Sequence, residues 1–225
     1  MVPGVNHPHA AQIDRQRRLR GWSGFVVPLP NCTTIGLVVT LKPLLDRFGI
    51  ERVVMTSMQG VSGAGRSPGV MALDIFDNVI PYIPGEEEKV ARETGKILGA
   101  VFPVSATCTR AAVTEGHTEA VTVSLGRHAT PADVAAAFRD FDGGLSGLPS
   151  APRRLITVHD DPFRPQPRLD RDADSGMTTS VGRIREDTAL DHGIKYVLVS
   201  HNTKMGAAKG AVLTAEYLLK AGYIK

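Results

Sequence analysis

Apolar residues fall at helical spacing from Ile35 to Phe48, interrupted by Pro43 and ended by Gly49. Arg52 to Met58 is a β-branched run with strand character, and Gln59 to Gly69 is a glycine-rich loop. Glu86 to Leu98 predicts an amphipathic helix behind Pro84-Gly85. Val104 to Val113 and Thr118 to Leu125 predict strands, and Glu115-Gly116 between them has the short hairpin pattern. Thr130 is a plausible N-cap for a helix from Pro131 to Phe141. Val181 to Ile184 and Tyr196 to Ser200 predict further strands, and Ala207 to Lys220 a closing helix. Near the start, a short helix over Ala10 to Leu19 and a strand at Phe25 to Val27 are expected. Gly143 to Ser175, rich in Gly, Pro, Arg and Asp, predicts a long connection or an excursion at a subunit surface. The alternation of strands and helices points to a mixed α/β domain.

Composition narrows the class. The 225 residues are enough for one sizeable domain. The formal charge is +3, and the basic runs at Arg15 to Arg20 and Arg153-Arg154 lack interleaved aromatics. They read as solvated surface, and no nucleic-acid partner is expected. No apolar run approaches the roughly 20 residues that span a bilayer, so no membrane partner is expected. Two cysteines make no disulfide framework, and no signal-peptide pattern opens the chain. A reducing, cytoplasmic setting follows as the default.

Cys32 stands between Pro30-Asn31 and a helix. A thiol at a helix N-terminus meets unpaired N–H groups and the positive end of the dipole, and both favour the thiolate. A buried structural cysteine is the competing reading, and it is the favoured one for Cys108, inside an alternating strand. In a regular hairpin turning at Glu115-Gly116, Arg110, His117 and Glu119 share one sheet face. Arg110 and His117 would then lie roughly 13 Å apart along the strand. A guanidinium can clamp a carboxylate, and an imidazole titrates near neutrality; an ordinary polar face remains the alternative. The Gln59 to Gly65 loop supplies pliable backbone, although its spacing is not the dinucleotide fingerprint. Glu86-Glu87-Glu88-Lys89 reads either as helix-dipole stabilisation or as a site.

Seven blocks in order carry a resemblance: Pro-Asn-Cys-Thr-Thr-Ile-Gly, Met-Gln-Gly-Val-Ser-Gly-Ala-Gly, Leu-Asp-Ile-Phe-Asp-Asn-Val-Ile-Pro, Gly-Glu-Glu-Glu-Lys, Arg110 to His117 with Thr-Glu-Ala after it, Val-Gly-Arg-Ile-Arg, and Ser-His-Asn-Thr-Lys-Met-Gly-Ala-Ala. From about Val2 to Tyr217 the chain resembles aspartate-semialdehyde dehydrogenases of the archaeal and fungal type. The resemblance implies an α+β fold. Its mixed sheet would carry helices on one face, like the C-terminal domain of glyceraldehyde-3-phosphate dehydrogenase-like enzymes. It implies Cys32 as nucleophile, His117 as general base and Gln59 as the residue that orients the acyl intermediate. Arg110, Glu86, Lys89 and Asn31 would bind substrate: Arg110 its carboxylate, Glu86 its amino group, Lys89 and Asn31 its phosphate. Ser62, Gly63, Ala64, Gly65 and Asn202 would touch the nicotinamide cofactor, NADP. The implied substrates are aspartyl phosphate, aspartate semialdehyde and phosphate, the assembly a homodimer or homotetramer. No metal is implied.

Members of that family begin with a Rossmann domain, and no glycine-rich phosphate loop stands in residues 1–30. The resemblance therefore makes residues 1–30 a remnant edge of the cofactor domain and 31–200 the catalytic and dimerisation domain. Residues 201–225 become a helix whose apolar face lacks its usual partner. Gly65-Arg66-Ser67-Pro68 is one residue longer than the family pattern. Two other readings stay open: an acyl-CoA reductase such as malonyl-CoA reductase, and a non-catalytic dimerisation fragment.

Overall fold

The computed structural model describes residues 1–64 and 75–224. Among the described residues seven strands form one sheet: β1 Ile50–Gln59, β2 Val79–Ile80, β3 Val104–Ala111, β4 His117–Leu125, β5 Ile156–Val158, β6 Thr179–Asp187 and β7 Gly193–Ser200. Their spatial order is β2-β3-β1-β4-β7-β6-β5. The β1–β3 and β5–β6 pairs are parallel and the others antiparallel, a mixed sheet as expected. The helices are α1 Gln12–Arg20, α2 Cys32–Phe48, α3 Glu86–Leu98, α4 Pro131–Asp140, the single turn α5 Pro167–Asp170, and α6 Lys209–Lys220.

One main core lies between the sheet and α2, α3 and α4. Leu37, Val38, Val39, Leu41 and Leu44 of α2 are fully buried. Contrary to expectation, Pro43 does not interrupt α2. A proline removes one helical hydrogen bond, and close packing on both sides of it offsets that loss. Tyr196 of β7 meets Phe138 of α4 edge to face and shares a hydrogen bond of 2.8 Å with the Thr40 hydroxyl. Thr130 caps α4 in a reciprocal box with Asp133. The opposite sheet face alternates outward through Val54, Thr56, Ser105, Thr107 and Ala120, all exposed.

The expected β3–β4 hairpin does not form. β1 lies between the two strands, with Thr56 opposite Thr107 on one side and Ala120 on the other. Parallel strands need a crossover, and α3 supplies it between β1 and β3. The short 112–116 link then arches over the end of β1, where Val61 and Ser62 donate to the Val113 and Thr114 carbonyls. A local turn pattern carries no record of a strand lying fifty residues upstream.

Two further expectations change. Phe25 to Val27 is not a strand, because the Gln16 side chain bonds both backbone groups of Val26 in place of a partner strand. Gly143 to Ser175 is more than a connection: it supplies β5, and its Arg164-Pro165 segment covers Gly182 on the outward sheet face. The closing helix packs against the first residues of the chain. Ala10 and Ile13 pack on Leu218, and His7 stacks on Tyr217 at 4.1 Å. Val212 and Leu219 of that helix stay exposed.

Leu37→Ala removes a side chain with no exposure, and its expected cost is about 3 kcal/mol. Thr130→Ala removes one cap and costs about 1 kcal/mol. Urea denaturation of both variants checks the ranking; a smaller loss for Leu37→Ala than for Thr130→Ala contradicts this packing.

Candidate active site

The strand order builds a row of side chains. Gln59 pairs with Arg110, and Met58 opposite Thr118 brings Gln59 level with His117, which pairs with Ser200. Arg110, Gln59 and His117 therefore share the helix-covered face, as the sequence predicts for Arg110 and His117, but for a different reason. Two strand spacings of about 4.8 Å separate their backbones, in place of four residues along a ribbon. Next along the same face come Cys108, Ser57 and Glu119.

α2 delivers Cys32 to this row. Asn31 is its N-cap: the side-chain oxygen accepts from the Thr33 and Thr34 amides at 2.8 and 3.2 Å. Cys32 is the first helical residue, and its Sγ lies 3.2 Å from His117 Nε2. Gly206 closes against Cys32 from the π-turn Lys204–Ala208; a Cβ there would sit 2.7 Å from the Cys32 Cβ. Nothing in the sequence reading marks Gly206, although it lies within one of the seven blocks.

Glu86 gathers the neighbouring polar groups. Its Oε1 accepts from Asn31 Nδ2 at 2.8 Å, Gln59 Nε2 at 3.0 Å and Thr33 Oγ1 at 3.2 Å. Its Oε2 accepts nothing from the described residues. Gln59 Nε2 also donates to Ser57, so its carbonyl oxygen is what remains for a ligand. Glu93 accepts the Asn31 amide at 2.8 Å, a contact with no earlier signal. Arg110 is buried and donates from Nη1 to the Gly60 carbonyl at 2.9 Å.

Residues 60–64 lie against Arg110 and His117. A Cβ on Gly63 would stand 2.9 Å from Arg110 Nη1 and 3.1 Å from His117 Cε1. Asn202 joins its Nδ2 to Ser62 Oγ and accepts the Gly116 amide, each at 2.9 Å. Ala64 follows at the end of this turn, and Gly65 lies outside the described residues, as does the sequence reading of 65–68. Lys89 sits one helical turn beyond Glu86, exposed, and its ammonium has no hydrogen bond or ion pair among the described residues. The structure does not join it to this cluster.

Electrostatics revise two expectations. The Cys32 thiol is pushed up to about 11: burial and the Glu86 carboxylate outweigh the helix-terminal amides, so the free chain holds a thiol at neutrality, not the expected thiolate. His117 is lowered to about 3 by burial, then by Arg110 and His201, so its imidazole stays neutral where titration near neutrality was expected. Glu119 is wholly buried with both oxygens unpartnered, and burial followed by Glu86 holds its carboxyl well above the usual range. His201 is fully buried beside Glu115, Asp172 and Lys204 at the rim of the site.

The match to the family described as semialdehyde dehydrogenase, dimerisation domain, covers residues 41–205. The chain belongs to that family. Among curated relatives of this semialdehyde dehydrogenase domain, the aspartate-semialdehyde dehydrogenase of Methanothermobacter thermautotrophicus is 47% identical over 97% of this chain. That of Archaeoglobus fulgidus is 48% identical over 98%. The chain spans 66% and 65% of these two relatives' lengths, just under two thirds. A solved aspartate semialdehyde dehydrogenase with NADP from Candida albicans is 40% identical with a TM-score of 0.86, over 100% of this chain and 67% of that one. One from Vibrio cholerae, complexed with ASA, is 30% identical with a TM-score of 0.81 over 98% and 67%. The mixed sheet expected from the sequence is thus the fold of this family.

Cys32 is half-buried and Cys108 is fully buried. Iodoacetamide is expected to modify Cys32 and spare Cys108 in the native chain, at a rate that climbs with pH toward about 11. Glu86→Gln removes a charge that opposes the thiolate, so it speeds labelling at pH 7. Peptide mapping after timed labelling checks this; equal labelling of both cysteines, or slower reaction in the variant, contradicts it.

Proposed function

We propose that this chain carries the catalytic portion of an aspartate-semialdehyde dehydrogenase, converting 4-phospho-L-aspartate to L-aspartate 4-semialdehyde through a thioester on Cys32. The observation that carries this reading is the 3.2 Å approach of Cys32 Sγ to His117 Nε2 beside both an arginine and a buried glutamate. Arg110 offers a cation to one end of a small zwitterion, and Glu86 Oε2 offers an anion to its ammonium. An amino-acid substrate matches that pair of charges.

In this reading Cys32 attacks the acyl phosphate carbon and phosphate leaves, giving the thioester. Reduction leaves an oxyanion on the thiohemiacetal, and its collapse releases the aldehyde and frees Cys32. Gln59 orients the acyl group, and Asn31, held by Glu86, stands near the departing phosphate together with the more distant Lys89. The α2 N-terminus faces the reacting carbon and stabilises the developing negative charge. NADPH, the reduced form of the NADP cofactor, would supply the hydride when bound. The turn Val61–Ala64 and Asn202 fit against its nicotinamide end, because Gly63 leaves room beside Arg110 and His117 that a side chain would fill. The 2′-phosphate and adenosine would be held by parts of the whole enzyme beyond this segment.

The outward sheet face is uncharged across Val54, Thr56, Ser105, Thr107 and Ala120, which suits pairing with a second copy as a homodimer, or within a homotetramer. No described helix is long and apolar enough to cross a membrane. The nucleophile needs a reducing compartment, so the cytoplasm is the proposed location.

Acyl transfer precedes reduction and requires no cofactor, so it can be tested on this chain directly. Incubation with 4-phosphoaspartate should release phosphate and leave an aspartyl adduct on Cys32 by intact-mass analysis, absent in Cys32→Ser. A malonyl adduct from malonyl-CoA, with none from phosphoaspartate, would replace this assignment by an acyl-CoA reductase. No adduct from either would leave a dimerisation fragment.

A further inference from the structure

The Val-Gly-Arg-Ile-Arg block places no residue in the site described above. It lies in β6, where the pairing with β7 slips. Gly182 faces Val197 and Arg185 faces Lys195, so Arg183 and Ile184 together stand opposite Tyr196. This is a two-against-one bulge, and Arg183 takes a φ of 58° in it. Left-handed backbone favours glycine, and an L side chain there costs stability. The arginine nonetheless occupies the strained place. Gly182 beside it is braced from the outward face, where a Cβ would collide with the Arg164 carbonyl oxygen.

β5 stops pairing with β6 at Val181, just short of the bulge. A cleft of about 480 Å³ opens between the departing chain, the bulge and one face of α4. That volume suits a small molecule. Ala132, Ala135 and Arg139 line it from α4 at i, i+3 and i+7, and the two small side chains leave the room. Val158 and Ile184 add apolar surface, and Arg183 and Arg185 line the side of the bulge.

The charges in the cleft do not cancel. Arg139 donates to Asp160 at 2.9 Å, which engages the one carboxylate among the lining residues. Arg185 donates from Nη1 to the Arg183 carbonyl at 2.6 Å, and the Arg183 guanidinium has no hydrogen bond or ion pair among the described residues. Asp187, two residues on, is taken by Lys195 at 2.9 Å and by the Ala189 and Leu190 amides. Burial, then the Arg183 guanidinium, lower Arg185 from its ordinary value, so two like charges stand close together. The opposite wall is already built. Buried Asp170 accepts from Arg164 Nε at 2.8 Å and from the Gln166 amide at 2.6 Å, and lies 3.3 Å from His159 Nε2. That carboxylate holds both His159, in the cleft wall, and the residue that braces Gly182.

We propose that this cleft binds a nucleoside diphosphate, with the phosphates on Arg183 and Arg185 and the ring against the apolar face of α4. Guanidinium groups match phosphate oxygens two at a time. The bulge aims the Arg183 side chain, and backbone strain at a non-glycine is kept where a side chain serves a ligand. The assignment does not depend on the acyl-transfer reading, because the cleft shares no residue with the row around Cys32.

The test is a titration of the full chain with ADP, with inorganic pyrophosphate and adenosine as separate arms, followed by calorimetry and by backbone amide spectra. ADP is expected to bind with a Kd below about 1 mM. It should bind more weakly as salt rises, and shift the amides of residues 132–139 and 183–185. Pyrophosphate and adenosine should each bind at least about tenfold more weakly, since each makes only one of the two sets of contacts. Arg185→Gln should weaken ADP about tenfold or more, the effect of losing one charged hydrogen-bonding partner. Arg183→Gly should weaken it as much, while the thermal midpoint stays level or rises by about 2–4 °C because glycine relieves the left-handed backbone. A lower midpoint in Arg183→Gly would mean that the arginine holds the fold, and contradicts the proposal. So do amide shifts confined to the row around Cys32, unchanged affinity in both variants, pyrophosphate as tight as ADP, or no binding of ADP.

Discussion

The site depends on the insertion of β1 between β3 and β4. That placement brings Gln59 between Arg110 and His117 on a single row. It also sends the chain out of β1 directly over the row, so that Gly60 and Gly63 touch both flanking side chains. α2 packs on the same face with its N-terminus at the row, and Cys32 arrives beside His117 as a result. If β3 and β4 were neighbours, the arginine and histidine would lie along one ribbon with no strand between them, and Gly60 would have no course over the histidine ring.

Within that frame, burial governs the charges. Cys32, His117 and Glu119 all favour their neutral forms in the free chain, because little water reaches them. Glu86 organises the rest, since three donors converge on one of its oxygens. A carboxylate held by three hydrogen bonds fixes Asn31, Thr33 and Gln59 in position around the helix N-terminus. The same negative charge holds the resting thiol protonated.

Much of this was legible from residue pattern. Periodicity marked α2, α3, α4 and α6 and most of the strands, because each buries one face against a single layer. That Cys32, His117 and Arg110 come together was legible from residue type and from ordered blocks of resemblance. What pattern could not reach was long range. The hairpin reading followed Glu115-Gly116, a local signal, and missed a partner strand that arrives by a crossover. The short strands β2 and β5 carry too few residues to show alternation. Thiolate and imidazole behaviour was misjudged because burial and the position of Glu86 appear only once the chain is folded.

Strand order can be measured without substrate, cofactor or a partner chain. In a deuterated sample with amide protons restored, backbone cross-relaxation should join β1 to both neighbours, with contacts from the Thr56 region to the Thr107 region and to the Ala120 region. No contact should join Arg110 to Val121 or Ala112 to Glu119. Direct contacts between those last pairs, with none from β1 to one of its two flanking strands, would show a simple hairpin and contradict the account.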